Sequence, residues 1–463
     1  MKAEFNSTIG KAAEWAGGTL LCGDRNKEIN SITTDSRELG KDSLFVPIVG
    51  ERFDGHQFID ELVKSGSIAA FLTMREESAK AARELGTGAI LCDDTLKAYG
   101  RIASRHRLTM KAKVIGITGT NGKTTTKELL WTILNRKHAA LKNEKNYNNE
   151  IGVPHTLLGL NEDHKWAIIE MGMNHKGEID RLSGIAKPDM AVITNVGEGH
   201  LEFLGTVENV AYAKSEIMNS MKPGSLIILN RDSRCFDILL KKASDSRLNV
   251  KTFGLSDKAD MKPASYTLFA DSIRFTYNSI EYNIPLYGIH NLYNAIAAMA
   301  AALELGVEAN IIQEAFHEFK NIDMRSQVIS DRNYTVINDT YNSNPLSAGY
   351  ALKSLAEIFS GKRKVAVLSD MKELGSSSEY YHREIGKLAG ASGIDRLFTW
   401  GEMAENIALG AKESGMNNGN ALHFRTKPDL IDYAKNHLLP GDVILVKGSR
   451  SMKMEEVVEA IIH

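Results

Sequence analysis

Short apolar runs closed by polar turns recur along the chain, and their spacing predicts alternating strands and helices. Up to residue 94 the runs are brief. Ser43–Gly50 (SLFVPIVG) reads as a strand with a turn, and Ser67–Thr73 (SIAAFLT) and Gly88–Asp94 (GAILCDD) read as buried strands ahead of polar turns. From residue 95 the pattern lengthens. A helix over Leu96–Thr109 leads to an apolar strand, Lys113–Gly119 (KVIGITG), then a turn and a helix over Lys123–Lys137. Apolar strands follow at Trp166–Gly172, Met190–Gly197 and Ser225–Asn230, with helical stretches between them. That order predicts a mostly parallel sheet with helices on both faces. Ala264–Leu286 reads instead as antiparallel hairpins, set before an Ala-rich helix over Asn291–Leu305. Beyond residue 325 the rhythm resumes with strands at Tyr334–Tyr341, Lys364–Met371, Arg396–Gly401 and Asp442–Ser449, each followed by a helix. This predicts a second, smaller doubly wound domain. The expected fold class is α/β, in three blocks covering residues 1–94, 95–325 and 326–463.

The 463 residues suffice for two to four domains with cores of their own. A formal net charge of −2 calls for no nucleic-acid or anionic-membrane partner, so an acidic substrate would need local basic groups. Cys22, Cys92 and Cys235 stand far apart without CxxC spacing. A zinc site or disulfide framework is not expected, and a reducing compartment fits. No run approaches about 18 apolar residues, and the first residues lack the apolar stretch of a secretory signal. A cytoplasmic protein without membrane insertion is the expectation.

Candidate chemistry begins at GITGTNGKTTTKE, Gly116–Glu128. The usual phosphate loop has a glycine at the place where Ile117 stands; here the pattern is the shorter Gly119-Thr120-Asn121-Gly122-Lys123-Thr124. The physics survives the shortening. Gly119 and Gly122 let backbone N–H groups turn toward phosphate oxygens, and the helix that follows points its positive end at them. Lys123 can neutralise β/γ oxygens, and Thr124 can offer its hydroxyl to Mg²⁺. Glu170 ends an apolar strand, where a carboxylate faces the ligand crevice of a parallel sheet and can hold a Mg²⁺ that bridges phosphates. His200 follows another strand end through two glycines. Lys214 lies on a helix among Val210, Ala211, Ala213 and Ile217, near a buried face where an ammonium readily loses its charge. Asn291 and Asn294 share one face of a first helical turn, placed either to read a base edge or to cap the helix. Asp339 ends a strand and can accept from ribose hydroxyls; Asn342, Asn344 and Pro345 form a turn. Lys447, Ser449 and Arg450 sit at the last strand's end.

In this order and spacing, ten segments resemble the Mur ligases: TDSRELGKDSLFVPIVGERFDGHQFI, GTNGKTTTKE, NYNNEIGVP, EMGMNHKGEI, ITNVGEGHLE, AKSEI, HNLYNAIAA, DTYNSNP, LSDMKELG and KGSRSMKMEE. They span essentially the whole chain. DTYNSNP and EMGMNHKGEI are similar to the branch that adds D-alanyl-D-alanine to UDP-N-acetylmuramoyl-tripeptide, and the DNPR string of the third-residue ligase is absent. The resemblance implies a UDP-precursor-binding domain, a central ATPase domain and a Rossmann-like domain that helps to bind ATP and the dipeptide. It also implies a precursor carboxylate phosphorylated by ATP and then attacked by the dipeptide amine. By resemblance, Gly119–Thr125, with Thr120, Asn121, Gly122 and Lys123, hold ATP phosphates. Thr124 and Glu170 match ligands of a first Mg²⁺, and His200 matches a ligand of a second. Lys214 matches a lysine that is carbamylated in related ligases and whose carbamate would bind that metal. Asn291, with Asn294, matches the adenine contact, and Arg325 and Asp339 match positions near γ-phosphate and ribose. Ser36, Arg37, Gly50, Asp54, Gly55 and His56 match the uridine-nucleotide region. Asn148, Asn149, Asn342 and Asn344 are further substrate candidates. A monomer is expected. The rival readings are a sister ligase of the same fold, including the folylpolyglutamate type, and a nucleotide-operated switch that needs no amine substrate.

Overall fold

The computed structural model describes residues 2–330 and 333–463. Three six-stranded sheets follow one another along the chain. In the first, Glu28–Thr33, Ser43–Phe45, Ala70–Thr73 and Gly88–Leu91 run parallel, flanked by antiparallel edges Lys2–Thr8 and Thr19–Cys22. The strand expected over Ser43–Gly50 stops at Phe45, ahead of Pro47. Val49–Gly50 leaves the sheet and pairs with Phe53–Asp54 as a small hairpin.

The central sheet is wholly parallel. Its order is Ala140–Lys142, Trp166–Glu170, Lys113–Thr118, Met190–Ile193, Leu226–Asn230, Asn249–Phe253. The four strands that the apolar runs predict are the inner ones. Side chains alternate across a strand, so each strand feeds two cores. Val114, Ala167, Ile169, Ala191 and Leu229 pack with Ile102, Leu182 and Val210 of helices Thr95–Thr109, Glu178–Ala186 and Val207–Ser215. Ile115, Ile117, Ile168, Val192 and Ile228 pack with Leu130 and Ala298 of helices Lys123–Asn135 and Ile289–Glu304. Each buried Val, Leu or Ile among them contributes about 1.5–3 kcal/mol by leaving water. The expected hairpins form a three-stranded antiparallel sheet over Ser265–Leu268, Ile273–Tyr277 and Ile280–Ile284.

The last sheet runs Gln327–Ser330, Thr335–Asp339, Val443–Lys447, Lys364–Ser369, Arg396–Trp400, Ala421–Phe424, with only the first strand antiparallel. Where one helix is expected between Gly401 and Asp442, two helices, Glu405–Glu413 and Lys427–His437, flank the short strand Ala421–Phe424. The rims at the carboxyl ends of the central and last sheets, carrying Glu170 and Asn230 on one and Asp339 and Lys447 on the other, line a common cavity. Met324 and Ser326, in the segment between them, hold left-handed φ values of 59° and 52°.

Helices Ser378–Ala391 and Glu405–Glu413 of the last unit cross backbone to backbone. A Cβ at Gly386 would lie 2.0 Å from the Ile407 carbonyl oxygen, and one at Gly410 would lie 2.0 Å from that of Arg383. The first of these helices carries buried His382, whose Nε2 accepts from the Met371 N–H at 2.9 Å and so fixes the loop that enters the cavity. Gly386→Ala is expected to destabilise the protein by about 1–3 kcal/mol through overpacking, measured as a lower urea midpoint at unchanged slope.

Candidate active site

Strand Lys113–Thr118 delivers the chain into a turn that admits no side chains at two positions. Gly119 (φ 152°) would place a Cβ 1.9 Å from Thr194 Oγ1, and Gly122 (φ 81°) would place one 2.1 Å from Asn294 Oδ1. The loop amides, expected to face phosphate as a set, divide instead. The N–H groups of Thr120 and Asn121 donate to the backbone oxygen and Oδ1 of Asn195, at 3.0 and 2.9 Å. Among the described residues, those of Gly122–Thr125 meet no acceptor, and no side chain caps helix Lys123–Asn135. Open N–H groups at a helix N-terminus are a ready anion site. Lys123 folds back over the turn, donating to the carbonyls of Gly119 and Thr120 at 2.9 and 3.2 Å. Burial lowers its pKa; Glu170 opposes that and Arg325 adds to it.

Glu170 stands beside this turn, buried at 2% exposure. Asn148 donates to its Oε1 at 2.8 Å. Asn143 brackets its backbone from both sides at 2.9 Å. Among the described residues its buried Oε2 accepts no hydrogen bond, and Lys127 Nζ lies 3.8 Å away. A buried carboxylate oxygen without a donor suits a cation. Thr124, Thr125 and Asn149 line the same cavity of about 750 Å³. Asn149 spends its Oδ1 on the N–H groups of Ile151 and Gly152, so its amide oxygen shapes a turn.

His200 follows central strand Met190–Ile193 and lines the cavity in a left-handed conformation (φ 57°). Its Nδ1 lies 2.7 Å from Glu373 Oε2, off the hydrogen-bonding direction. Burial depresses its pKa, against the attraction of Glu373. Glu373 itself is left-handed (φ 63°), and its carbonyl accepts from the Glu202 N–H at 3.0 Å. Lys214 is 1% exposed and has no hydrogen-bond or ion-pair partner among the described residues. Burial, then Lys123, holds its pKa well below the usual lysine value. It lies behind the cavity wall and does not line it. Among the described residues no three His, Cys, Asp or Glu side chains are grouped to hold a metal ion. Mg²⁺ completes its shell with water and phosphate oxygens, so one carboxylate and a hydroxyl suffice.

The last unit supplies the facing wall. Asp339 accepts from Lys447 Nζ at 2.6 Å and from the Ser326 N–H at 3.0 Å. Burial would raise its pKa, but Lys447 and His290 hold it low. Arg325 lies over the Tyr341 ring at 3.8 Å. Asn342 is exposed and gives its carbonyl to Lys447 at 2.9 Å. Asn344, expected as a substrate contact, is instead largely committed. It caps helix Pro345–Ile358 through Ser347 and exchanges two amide bonds with Asn121, at 3.1 and 2.8 Å. The cap reading of Asn291 fails, because the helix starts at Ile289 with Gly288 as its N-cap. Asn291 accepts from Asn294 at 2.9 Å and donates to the Tyr287 carbonyl, so the pair braces the glycine turn while lining the cavity. Sequence reasoning passed over Glu373, Lys127, Asn143 and Asn195. Only Glu373 left a signal, an acidic residue just past a predicted strand end.

The uridine-region candidates do not line this cavity. Arg37 is exposed and pairs with Asp35 at 2.7 Å beside Ser36. Gly50 and Asp54 belong to the small hairpin, and Gly55 packs against Ile48 with no space for a side chain. His56 is buried, bound to Asp54 at 2.7 Å and accepting from the Met74 N–H at 3.3 Å.

Three family models match the chain: Mur ligase family, catalytic domain, over residues 28–119; Mur ligase middle domain, over 117–302; and Mur ligase, glutamate ligase domain, over 324–450. A Bacillus subtilis protein named UDP-N-acetylmuramoyl-tripeptide–D-alanyl-D-alanine ligase is 37% identical over 460 residues, 98% of each chain. A crystal structure of MurF from Acinetobacter baumannii superposes with a TM-score of 0.90 at 30% identity, covering 99% of both chains. A MurF ligase from Thermotoga maritima in complex with ADP gives 0.81 at 27% identity, covering 93% of this chain and 96% of that one.

Gly122→Ala must push Asn294 aside and hold alanine at positive φ. We expect a stability loss of about 1–3 kcal/mol and at least about tenfold weaker nucleotide binding, read by calorimetry. Lys214→Met removes an ammonium that the fold disfavours. With the folded pKa depressed, the wild type carries its full penalty below that pKa and loses it as pH rises toward the unfolded value near 10.5. In bicarbonate-free buffer the variant is expected to unfold at higher urea than wild type at pH 7.5, with the gap closing by about pH 10.5.

Proposed function

The chain belongs to the Mur ligase family, and on that premise we propose that it joins D-alanyl-D-alanine to UDP-N-acetylmuramoyl-tripeptide in peptidoglycan precursor synthesis, converting ATP to ADP and phosphate. The observation that carries this reading is the cavity in which the glycine turn, Glu170 and His200 face Asp339, Asn342 and Lys447 of the last unit. A plain nucleotide switch has no need of that second wall.

The first-turn N–H groups and Lys123 hold the β and γ phosphates. The terminal carboxylate of the precursor attacks the γ-phosphorus, the bond to the bridging oxygen breaks, and ADP leaves. The amine of the dipeptide then attacks the acyl phosphate carbon. The tetrahedral adduct expels phosphate, and the amine proton is lost. Carboxylate and triphosphate repel, so the step depends on cations at the meeting point, a role that Lys123 and Arg325, which both line the cavity, would fill. Mg²⁺ fits the corner of Thr124 and the Glu170 Oε2 that has no donor among the described residues, and His200, which lines the cavity, would hold a second ion. A carbamate on Lys214, which stands outside that lining, would join it as the family resemblance implies. When bound, Mg²⁺ supplies charge neutralisation and Lewis-acid activation of the phosphoryl group. The carbamate forms when a neutral amine adds to carbon dioxide and loses a proton, and the depressed pKa of Lys214 favours that amine. Residues 1–94 bind the UDP end through Ser36, Arg37 and the Gly50–His56 segment, residues 95–325 bind ATP, and residues 326–463 complete the ATP and dipeptide sites. Both nucleotide substrates place the reaction in the cytoplasm. No helix among the described residues is long and apolar enough to cross a membrane.

Phosphate release with ATP, Mg²⁺ and UDP-N-acetylmuramoyl-tripeptide is expected only when D-alanyl-D-alanine is added, and Lys123→Ala should lower it at least about a hundredfold. Release supported by a single amino acid would move the assignment to a sister ligase. Release needing no amine would make the protein an ATPase or switch.

A further inference from the structure

Two tyrosines from different units line the cavity. Tyr293 lies on helix Ile289–Glu304, and Tyr350 lies on helix Pro345–Ile358 of the last unit. Their ring centroids are 6.4 Å apart and the planes open at 41°. A planar ligand stacked between two rings needs about 7 Å, so a small rotation of the Tyr350 ring admits one. Tyr293 is held in place. Its hydroxyl donates to Asp232 Oδ2 at 2.9 Å, and Asp232 also accepts from the Leu255 and Ser256 N–H groups at 2.6 and 3.2 Å. Those acceptor contacts lie just past the ends of strands Leu226–Asn230 and Asn249–Phe253. The neighbouring amide of Asn230 is committed to the Thr194 carbonyl and the Asp232 N–H, both at 2.9 Å. Faces rather than free polar groups are therefore what this end of the cavity offers.

We propose that Tyr293 and Tyr350 form a clamp that stacks on the purine base of ATP, one ring from each unit. The proposal rests on the ATP reading above and adds which residues grip the base. Uracil of the precursor is the other planar base available. The slot's place beside the phosphate turn, in a cavity that the Gly50–His56 segment does not line, assigns it to ATP. Because one ring rides on the last unit, the base is gripped only while that unit is docked.

Steady-state kinetics of Tyr350→Ala and Tyr350→Phe test the clamp, with inhibition by inorganic tripolyphosphate as a probe that has no base. Tyr350→Ala should raise the KM for ATP about tenfold, with kcat and the precursor KM within about twofold. Tripolyphosphate inhibition should stay unchanged, and Tyr350→Phe, which keeps the ring, should restore the ATP KM. An unchanged ATP KM, an equal weakening of tripolyphosphate, or a rise in the precursor KM instead would each overturn the proposal. Fluorescence of bound 1,N6-etheno-ADP gives a readout independent of catalysis. Quenching by the wild type that is lost in Tyr350→Ala supports the clamp even if the ligase reaction fails, and equal quenching in both proteins refutes it.

Discussion

The cleft is built around a turn with no room in it. Gly119 packs against Thr194 and Gly122 against Asn294, each at a distance no Cβ could share, and Asn121 reaches across to Asn344. Three supports from distant parts of the chain thus converge on five residues: a parallel strand end, an Ala-rich helix and the last unit. Asn195, just past the parallel strand end, takes the amides of Thr120 and Asn121, while those of the first helical turn stay open among the described residues. An anion arriving there would meet open N–H groups whose polar neighbours are already paired.

That packing also explains the division of charge. Cations and carboxylates arrive on separate strand ends and meet only in the cavity. Glu170 is bracketed by Asn143 and Asn148, which leaves one buried oxygen without a donor. His200 and Glu373 come from different sheets and meet in left-handed backbone conformations. Such backbone costs on the order of 1–3 kcal/mol per residue and clusters where function requires a fixed direction. A site shared by two units can bring two anions together and keep water from the intermediate, which a single-walled loop cannot do.

Much of this was legible in the chain. The inner strands of the central sheet are buried on both faces, so they read as unbroken apolar runs. The edges Ala140–Lys142 and Asn249–Phe253 are short and part-polar and left no such mark. Glu170 was legible because a strand-end carboxylate beside a phosphate loop has few other purposes. Glu373 was not singled out, because its role depends on how two sheets face each other. Asn344 was ambiguous for a physical reason: a cap and a ligand contact use the same amide, and its bonds to Ser347 and Asn121 become visible only in the structure. For Asn291 the sequence left base contact and helix cap open, and the helix start at Ile289, two residues before it, removes the cap.

On this mechanism ATP is spent on activating a carboxylate. To test that, the terminal carboxylate of the UDP-N-acetylmuramoyl-tripeptide is labelled with ¹⁸O and the phosphate released on reaction with D-alanyl-D-alanine is weighed. Carboxyl attack on the γ-phosphorus moves one labelled oxygen into phosphate for each amide bond formed, which is the predicted result. Phosphate that carries no label, with oxygen drawn from water, would contradict the account.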